Sequence, residues 1–258
     1  MKEELKEHIN NSLKENVRLD GRKKDEFRKI EIETGVIKTA EGSARVKCGN
    51  TEVIAGIKLS VGTPFPDTPD NGVLMVGAEL LPLSNPEFES GPPSIESIEI
   101  ARVIDRGIRE SGAIDTKKLC IKKGEEVWMV MVDIIPINTD GNLLDVGGLA
   151  AIAALLDCKM PSYKDGKIDI KNMTKNSLPM TETPIPVTVV KIGDNFILDP
   201  IESEEHVLDA RLTVTSMEDG RLCAMQKGGD APLTSDDIKI MLDMAIKKAG
   251  ELRKLAKR

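Results

Sequence analysis

Three arginines stand at helical spacing within the segment Ser94–Ser111, where they could hold the phosphate groups of a nucleic acid. Arg102, Arg106 and Arg109 fall on one face of the predicted helix, opposite an apolar face. The apolar residues are Ile100, Val103, Ile104 and Ile108. A guanidinium binds phosphate through two parallel hydrogen bonds, so a row of arginines could follow a phosphate backbone. The alternative is a solvated face on which neighbouring acidic residues pair with the arginines. These acidic residues are Glu99, Asp105 and Glu110.

A second candidate is an acidic segment that follows a predicted strand. Its carboxylates are Asp199, Glu202, Glu204, Glu205 and Asp209. Clustered carboxylates can act as general acids or bind Mg²⁺. A solvated acidic loop between two strands is the alternative, because such loops are common on protein surfaces. The pattern by itself leaves both interpretations open.

The segment Asp133–Ala150 is predicted to form the end of a strand, a turn at Asp140-Gly141 and a helix. A helix that begins at the end of a buried strand is a favourable place for phosphate. Such sites usually add glycines, hydroxyls or basic groups. Here the residues after the turn are Asn142, Leu143, Leu144 and Asp145. Leucine has no donor and Asp145 would repel an anion, so residue types alone predict no phosphate site.

The cysteines and histidines predict no metal site. The four cysteines are Cys48, Cys120, Cys158 and Cys223, and no two of them form a C-x-x-C pair. Neither histidine, His8 nor His206, stands next to a cysteine, so the spacing of zinc ligands is absent. Buried free thiols are the expected state of the cysteines. We therefore expect neither a metal nor another resident cofactor.

Composition limits how this chain could bind nucleic acid. The formal net charge of the 258 residues is −7, which argues against binding over the whole surface. Aromatic residues make up only 2%, too few for a platform on which bases stack. If RNA is the ligand, the chain can hold its phosphates. The charged start and the lack of an apolar run of about 20 residues predict a soluble, cytoplasmic protein.

Periodicity and turn signals predict an α/β fold in two parts. We expect an N-terminal helix over 1–17, a first domain over 18–160 and a second domain over 187–258 that ends in a helix. The polar, proline-containing stretch 161–186 is predicted to connect the two domains. The first domain should contain a long buried strand over Glu125–Ile137, with Asp133 as the one charged interruption of its apolar run.

Several short motifs, in order, resemble the RNase PH family. They are R-L-D-G-R (Arg18–Arg22), I-E-T-G (Ile32–Gly35), A-E-G-S-A (Ala40–Ala44), G-N-T-E-V-I-A (Gly49–Ala55), I-E-I-A-R-V-I-D-R-G-I-R-E-S (Ile98–Ser111), T-D-G-N-L (Thr139–Leu143) and M-E-D-G-R-L (Met217–Leu222). Further motifs are similar to one branch, the non-catalytic ring subunits of the archaeal RNA exosome. These are P-F-P-D-T-P-D-N-G (Pro64–Gly72), A-E-L-L-P-L (Ala78–Leu83) and F-E-S-G-P-P (Phe88–Pro93).

The resemblance implies two packed βαβ-type halves and a place in a hexameric ring. In that ring, three copies alternate with three copies of a catalytic homologue beneath a cap of RNA-binding subunits. The assembly degrades single-stranded RNA from its 3′ end, and the catalytic subunit consumes the inorganic phosphate. A competent phosphorolytic exoribonuclease or nucleotidyltransferase of the same family is the alternative.

The resemblance also assigns roles to individual residues. Active relatives follow the D-G turn with a small residue and then a Ser/Thr-Arg pair that binds phosphate, whereas the positions that match the pair here are Leu143 and Leu144. Asp209 matches a carboxylate of the active relatives, and we assign no catalytic residue to this chain. The resemblance places Arg102, Arg106 and Arg109 along the shared RNA path, where they are expected to help position the RNA.

Overall fold

The protein is described by a computed structural model that covers residues 2–164 and 166–257. The helices are α1 (Lys2–Lys14), α2 (Ile95–Glu110), α3 (Leu143–Asp157), α4 (Glu202–Glu205) and α5 (Ser235–Ala256). The strands are β1 (Ile30–Thr34), β2 (Gly42–Cys48), β3 (Thr51–Gly62), β4 (Val73–Ala78), β5 (Cys120–Lys122), β6 (Glu126–Asn138), β7 (Lys159–Lys164), β8 (Lys167–Ser177), β9 (Ile185–Ile192), β10 (Asn195–Leu198), β11 (Ala210–Ser216) and β12 (Leu222–Gly228). The α/β class predicted from the sequence is confirmed.

The first half is built on a six-stranded sheet. Its order is β1-β2-β3-β6-β4, with β5 also paired to β6. Strands β4 and β6 run parallel and are joined through α2, so the βαβ crossover lies here. Side chains along β6 alternate between buried and more exposed positions, and Asp133 is exposed. The predicted long buried strand is therefore buried along one face, and the side chains of its other face are only partly buried.

The second half is a four-stranded antiparallel sheet in the order β10-β9-β11-β12. Helix α5 packs on β9 and β11. Helix α1 buries Ile9 and Leu13 in a separate apolar cluster with residues of β9 and β10. Its apolar stripe thus contributes to the second half although it comes first in the chain.

Helix α3 joins the two halves, because it contacts β2 and β3 of the first sheet and β9 of the second. All its residues from Leu143 to Leu155 are buried. A Cβ added at Gly148 would lie 2.3 Å from Cγ of Pro186 in β9, so glycine is required for this close approach.

Helix α2 begins and ends as its sequence predicts. The Ser94 hydroxyl accepts a hydrogen bond from the Ser97 N–H at 3.1 Å, which satisfies a free donor of the first turn. The helix stops before Gly112, whose φ of +63° favours glycine.

The interval predicted as a connecting segment, 161–186, is largely occupied by strands. Strands β7 and β8 pair as an antiparallel hairpin. Tyr163 of β7 packs edge-on against Trp128 of β6, with ring centroids 5.8 Å apart, and its hydroxyl donates to Glu126 at 2.9 Å. These contacts attach the hairpin to the first half.

Candidate functional site

The exposed face of α2 carries the three arginines, opposite its four buried apolar residues. Arg109 forms an ion pair with Asp105 at 2.6 Å and donates to the Leu74 carbonyl at 3.0 Å. Within the described parts of the chain, no hydrogen bond or ion pair engages the side chain of Arg102 or Arg106. Pairing with a neighbouring acidic residue of the helix, the alternative to phosphate binding, therefore applies to Arg109 and not to Arg102 or Arg106.

All other arginines between residues 2 and 257 have acceptors on the protein. They are Arg18, Arg22, Arg28, Arg45, Arg211, Arg221 and Arg253. Glu99 of α2 pairs with Arg211 of β11 at 2.7 Å. It is therefore not a partner of the arginine stripe, Arg102, Arg106 and Arg109. Arg102 and Arg106 are thus two guanidinium groups available to an external anion.

The five acidic residues after β10 do not gather into one site. Glu202 accepts from the Asn85 amide at 2.7 Å, and Asp209 accepts from the Gly193 N–H at 2.7 Å and pairs with Lys6. The other three point inward: Asp199 and Glu204 bind arginines, and Glu205 accepts from the Asn142 N–H. Among the described residues, no group of three or more His, Cys, Asp or Glu side chains could hold a metal ion.

Asp199 is fully buried and bound by two arginines of the first half. Arg28 donates to it from its backbone N–H at 2.8 Å and from Nη2 at 2.7 Å, and Arg22 donates from Nη1 at 2.7 Å. Burial by itself would raise the pKa of Asp199, but the hydrogen bonds and charges of the arginines outweigh it and hold the pKa below its usual range. The carboxylate is ionised and structural.

Arg18 is buried in the same region and bonds Glu204, with Nε donating at 2.9 Å. It also donates to the carbonyls of Leu198 and Asp199 at 2.8 Å each. Sequence reasoning assigned no role to Arg18, Arg22 or Arg28. Their partners lie 171 to 186 residues away, so no spacing could have revealed the pairs.

The start of α3 is enclosed by protein groups. Asn142 adopts a left-handed conformation with φ of +62°, and its N–H donates to Glu205 at 2.8 Å. Its side-chain amide donates to Asp199 at 2.8 Å. Leu143 and Leu144 follow and are only 8% and 9% exposed. Burial raises the pKa of Glu205 to about 7, against the opposing effects of the Asn142 N–H and Arg211.

Asp145, in the first turn of α3, is 1% exposed, and neither of its carboxylate oxygens has a hydrogen-bond partner in the described residues. Burial raises its pKa to about 7. The nearby N–H and hydroxyl of Thr188 lower the pKa of Asp145 by less than burial raises it, and neither group forms a hydrogen bond with the carboxylate. An ionised carboxylate is costly in such a place, so Asp145 favours its neutral form.

The four cysteines are free thiols. Cys48 and Cys158 are buried, and burial raises the pKa of Cys158 to about 12. Such thiols are unreactive, because the nucleophile is the thiolate.

Two family models match the chain: domain 1 of the 3′ exoribonuclease family over residues 26–161, and domain 2 over residues 182–248. These models carry the name RNase PH and together cover most of the sequence. The chain belongs to the RNase PH-type 3′ exoribonuclease family.

Several curated relatives are named exosome complex component Rrp42. One from Methanocella arvoryzae is 52% identical over 92% of this chain and 89% of its own length. One from Thermococcus gammatolerans is 49% identical over 97% of this chain and 93% of its own. The resemblance to the archaeal exosome branch is confirmed.

Solved structures agree with this assignment. A chain of an Archaeoglobus fulgidus exosome with RNA bound to the active site is 46% identical, with a TM-score of 0.91 and 98% of each chain covered. A chain of an archaeal exosome core is 43% identical, with a TM-score of 0.88, and the match covers 100% of this chain and 98% of that chain. No helix of the described residues is both long and apolar enough to cross a membrane.

Proposed function

We propose that this chain is a non-catalytic subunit of an archaeal RNA exosome ring, in which it helps to bind and position RNA for a catalytic homologue. The observation that carries the proposal is the pair Leu143 and Leu144 at the start of α3. Active members of the family hold the attacking phosphate at these positions with a hydroxyl and a guanidinium. Neither group is present here, and leucine cannot replace them.

The acidic segment supports the same interpretation. Asp199 and Glu204 are each paired with arginines, and Asp209 is paired with Lys6. No hydrogen bond or ion pair joins Asp209 to Asp199, Glu204 or Glu205 within the described chain. Asp209 is a retained family carboxylate without the phosphate clamp that the reaction needs. We assign no catalytic residue and no cofactor to this subunit, and the inorganic phosphate is used by the partner.

Arg102 and Arg106 are the residues proposed to contact RNA phosphates. Both are exposed and lack an acceptor within the described chain, whereas Arg109 is held by Asp105 and the Leu74 carbonyl. Arg109 is less available to RNA because of these partners, although it lies on the same positive face. A single-stranded RNA held along this face would present its 3′ end to the neighbouring subunit, and such positioning accelerates a reaction without contributing a reacting group.

The names of the relatives and the two exosome structures support assembly with an RNase PH-type catalytic subunit. We propose a cytoplasmic ring with three copies of each subunit, capped by RNA-binding proteins. The mass of the complex formed by mixing the two purified ring subunits tests this composition.

Activity measurements test the non-catalytic role. The purified chain alone should show no phosphate-dependent loss of RNA, and the ring formed with the catalytic homologue should degrade RNA. Steady RNA loss by the chain alone, abolished by Asp209→Asn, would identify it instead as a competent phosphorolase.

A further inference from the structure

The backbone from Pro200 to Glu202 lies directly on the turn that begins α3. A Cβ added at Gly141 would meet the Pro200 carbonyl oxygen at 2.5 Å and the Glu202 nitrogen at 2.8 Å. The turn and the acidic segment are thus in backbone-to-backbone contact. Nothing as large as a phosphate fits between them unless the segment moves.

Buried ion pairs hold this segment in place. At one end, Asp199 is bound by Arg28 and by the side chain of Asn142. Farther along, Glu204 is bound by Arg18 and also accepts from the Ile201 N–H at 2.9 Å. Breaking such a pair leaves an unpaired charge in the interior, so the segment is strongly held.

Glu205 completes the closure by placing a carboxylate oxygen 2.8 Å from the Asn142 N–H. The first N–H groups of a helix have no partner within the helix, and the positive end of its dipole attracts an anion. In this chain the Glu205 side chain accepts the hydrogen bond of the Asn142 N–H and lies at the positive end of the helix dipole.

We propose that the Glu205 side chain closes the start of α3 to inorganic phosphate by occupying the place that the anion would take. This inference rests on the proposed function and deepens it, because the loss of phosphate binding then has two causes. The leucines remove the side-chain donors, while Glu205 accepts from the Asn142 N–H, one of the backbone donors at that place, and its ionised form would repel a second anion. Restoring the donors alone should therefore not restore the site.

The contact itself is tested by nuclear magnetic resonance on the full chain. All measurements are made in an Asp145→Asn background, because Asp145 lies beside Asn142 and its pKa is also raised to about 7. There the Asn142 amide resonance should shift with pH as Glu205 titrates, and Glu205→Gln should abolish that shift. Glu202→Gln is the matched control, because Glu202 belongs to the same helix but bonds Asn85. An Asn142 titration that survives in Glu205→Gln would overturn the proposal without any phosphate measurement.

The closure is tested by inorganic phosphate binding, measured by calorimetry on two variants whose folding is first checked by circular dichroism. Leu143→Ser with Leu144→Arg should bind phosphate at least about tenfold more weakly than the same variant with Glu205→Ala. If the arginine at the buried position 144 prevents folding, Leu143→Ser with and without Glu205→Ala gives the same comparison.

Equal phosphate binding with and without Glu205, or none in either, would overturn the proposal. These results are distinguishable from failure of the proposed function. That failure would be seen as RNA loss by the unmodified chain alone, which none of the binding experiments measures.

Discussion

At the scale of single residues, two carboxyl groups at the start of α3 depart from ordinary behaviour. Asp145 and Glu205 both have a pKa raised to about 7, in each case chiefly by burial. They differ in their partners, since Glu205 accepts from the Asn142 N–H and Asp145 has no hydrogen bond within the described residues. Asp145 therefore makes the stability of the protein depend on pH.

Asp145→Asn should make the free energy of unfolding depend less on pH. The folded-state pKa of about 7 lies above the ordinary value of 3.8, so the folded protein keeps a proton that the unfolded chain releases. The free energy of unfolding should fall as pH rises between these values, and it should level off above about 7. The variant should thus be more stable than the wild type by about 4 kcal/mol near pH 8, and by about 2 kcal/mol near pH 5.

Urea unfolding at both pH values measures this difference. Because the Glu205 pKa is raised in the same direction, some pH dependence should remain in the variant. Asp133→Asn, at an exposed position of β6, is the control and should leave the dependence unchanged. The same pH dependence in Asp145→Asn as in the wild type would show that Asp145 does not retain its proton.

At the scale of the element, helix α2 combines a buried apolar face with two arginines that the fold leaves free. Isolated ion pairs at a protein surface contribute little to stability. Exposed arginines by themselves therefore do not indicate a functional site. What distinguishes Arg102 and Arg106 is that the other arginines between residues 2 and 257 have acceptors. The adjacent Arg109, paired with Asp105, serves as an internal comparison.

Arg102→Ala with Arg106→Ala should weaken RNA binding by the assembled ring about tenfold or more. Each phosphate of single-stranded RNA that an arginine no longer neutralises should also reduce the slope of log affinity against log salt by about 0.7. Titration of labelled RNA at several salt concentrations measures both quantities. Arg109→Ala should change them less, and an unchanged slope in the double variant would identify the stripe as a solvated or subunit-contact face.

At the scale of the whole molecule, the two halves are joined by α3 and by buried arginine–carboxylate pairs. Arg18, Arg22 and Arg28 of the first half reach Asp199 and Glu204 of the second. Helix α3 approaches β9 closely at Gly148. The start of α3 thus lies at the junction of the two halves.

Gly148→Ala should lower the free energy of unfolding by about 2 kcal/mol or more, because the added methyl group would overlap Pro186. Gly250→Ala is the matched control, since a Cβ there meets nothing within 4 Å and the residue lies in α5. The control should gain about 1 kcal/mol from helix propensity. Denaturant unfolding measures both, and equal effects would mean that the α3–β9 contact tolerates a larger separation.

The sequence by itself determined the local elements of this protein. Apolar residues at helical spacing and the Ser94 cap defined α2, and ordered motifs indicated the family. These signals are local because a helix or a strand is specified by residues close together in the chain. The polar composition of 161–186, by contrast, concealed the β7–β8 hairpin.

Only the tertiary structure decided which charged groups are free and which are used. Asp199 and Glu204 belong to a sequence cluster but bond arginines 171 to 186 residues away, and Glu205 lies on the start of α3. Arg102, Arg106 and Arg109 are equivalent by sequence pattern, yet only the first two lack partners in the described chain. The availability of a charge depends on what packs beside it, and distant segments meet only when the chain folds.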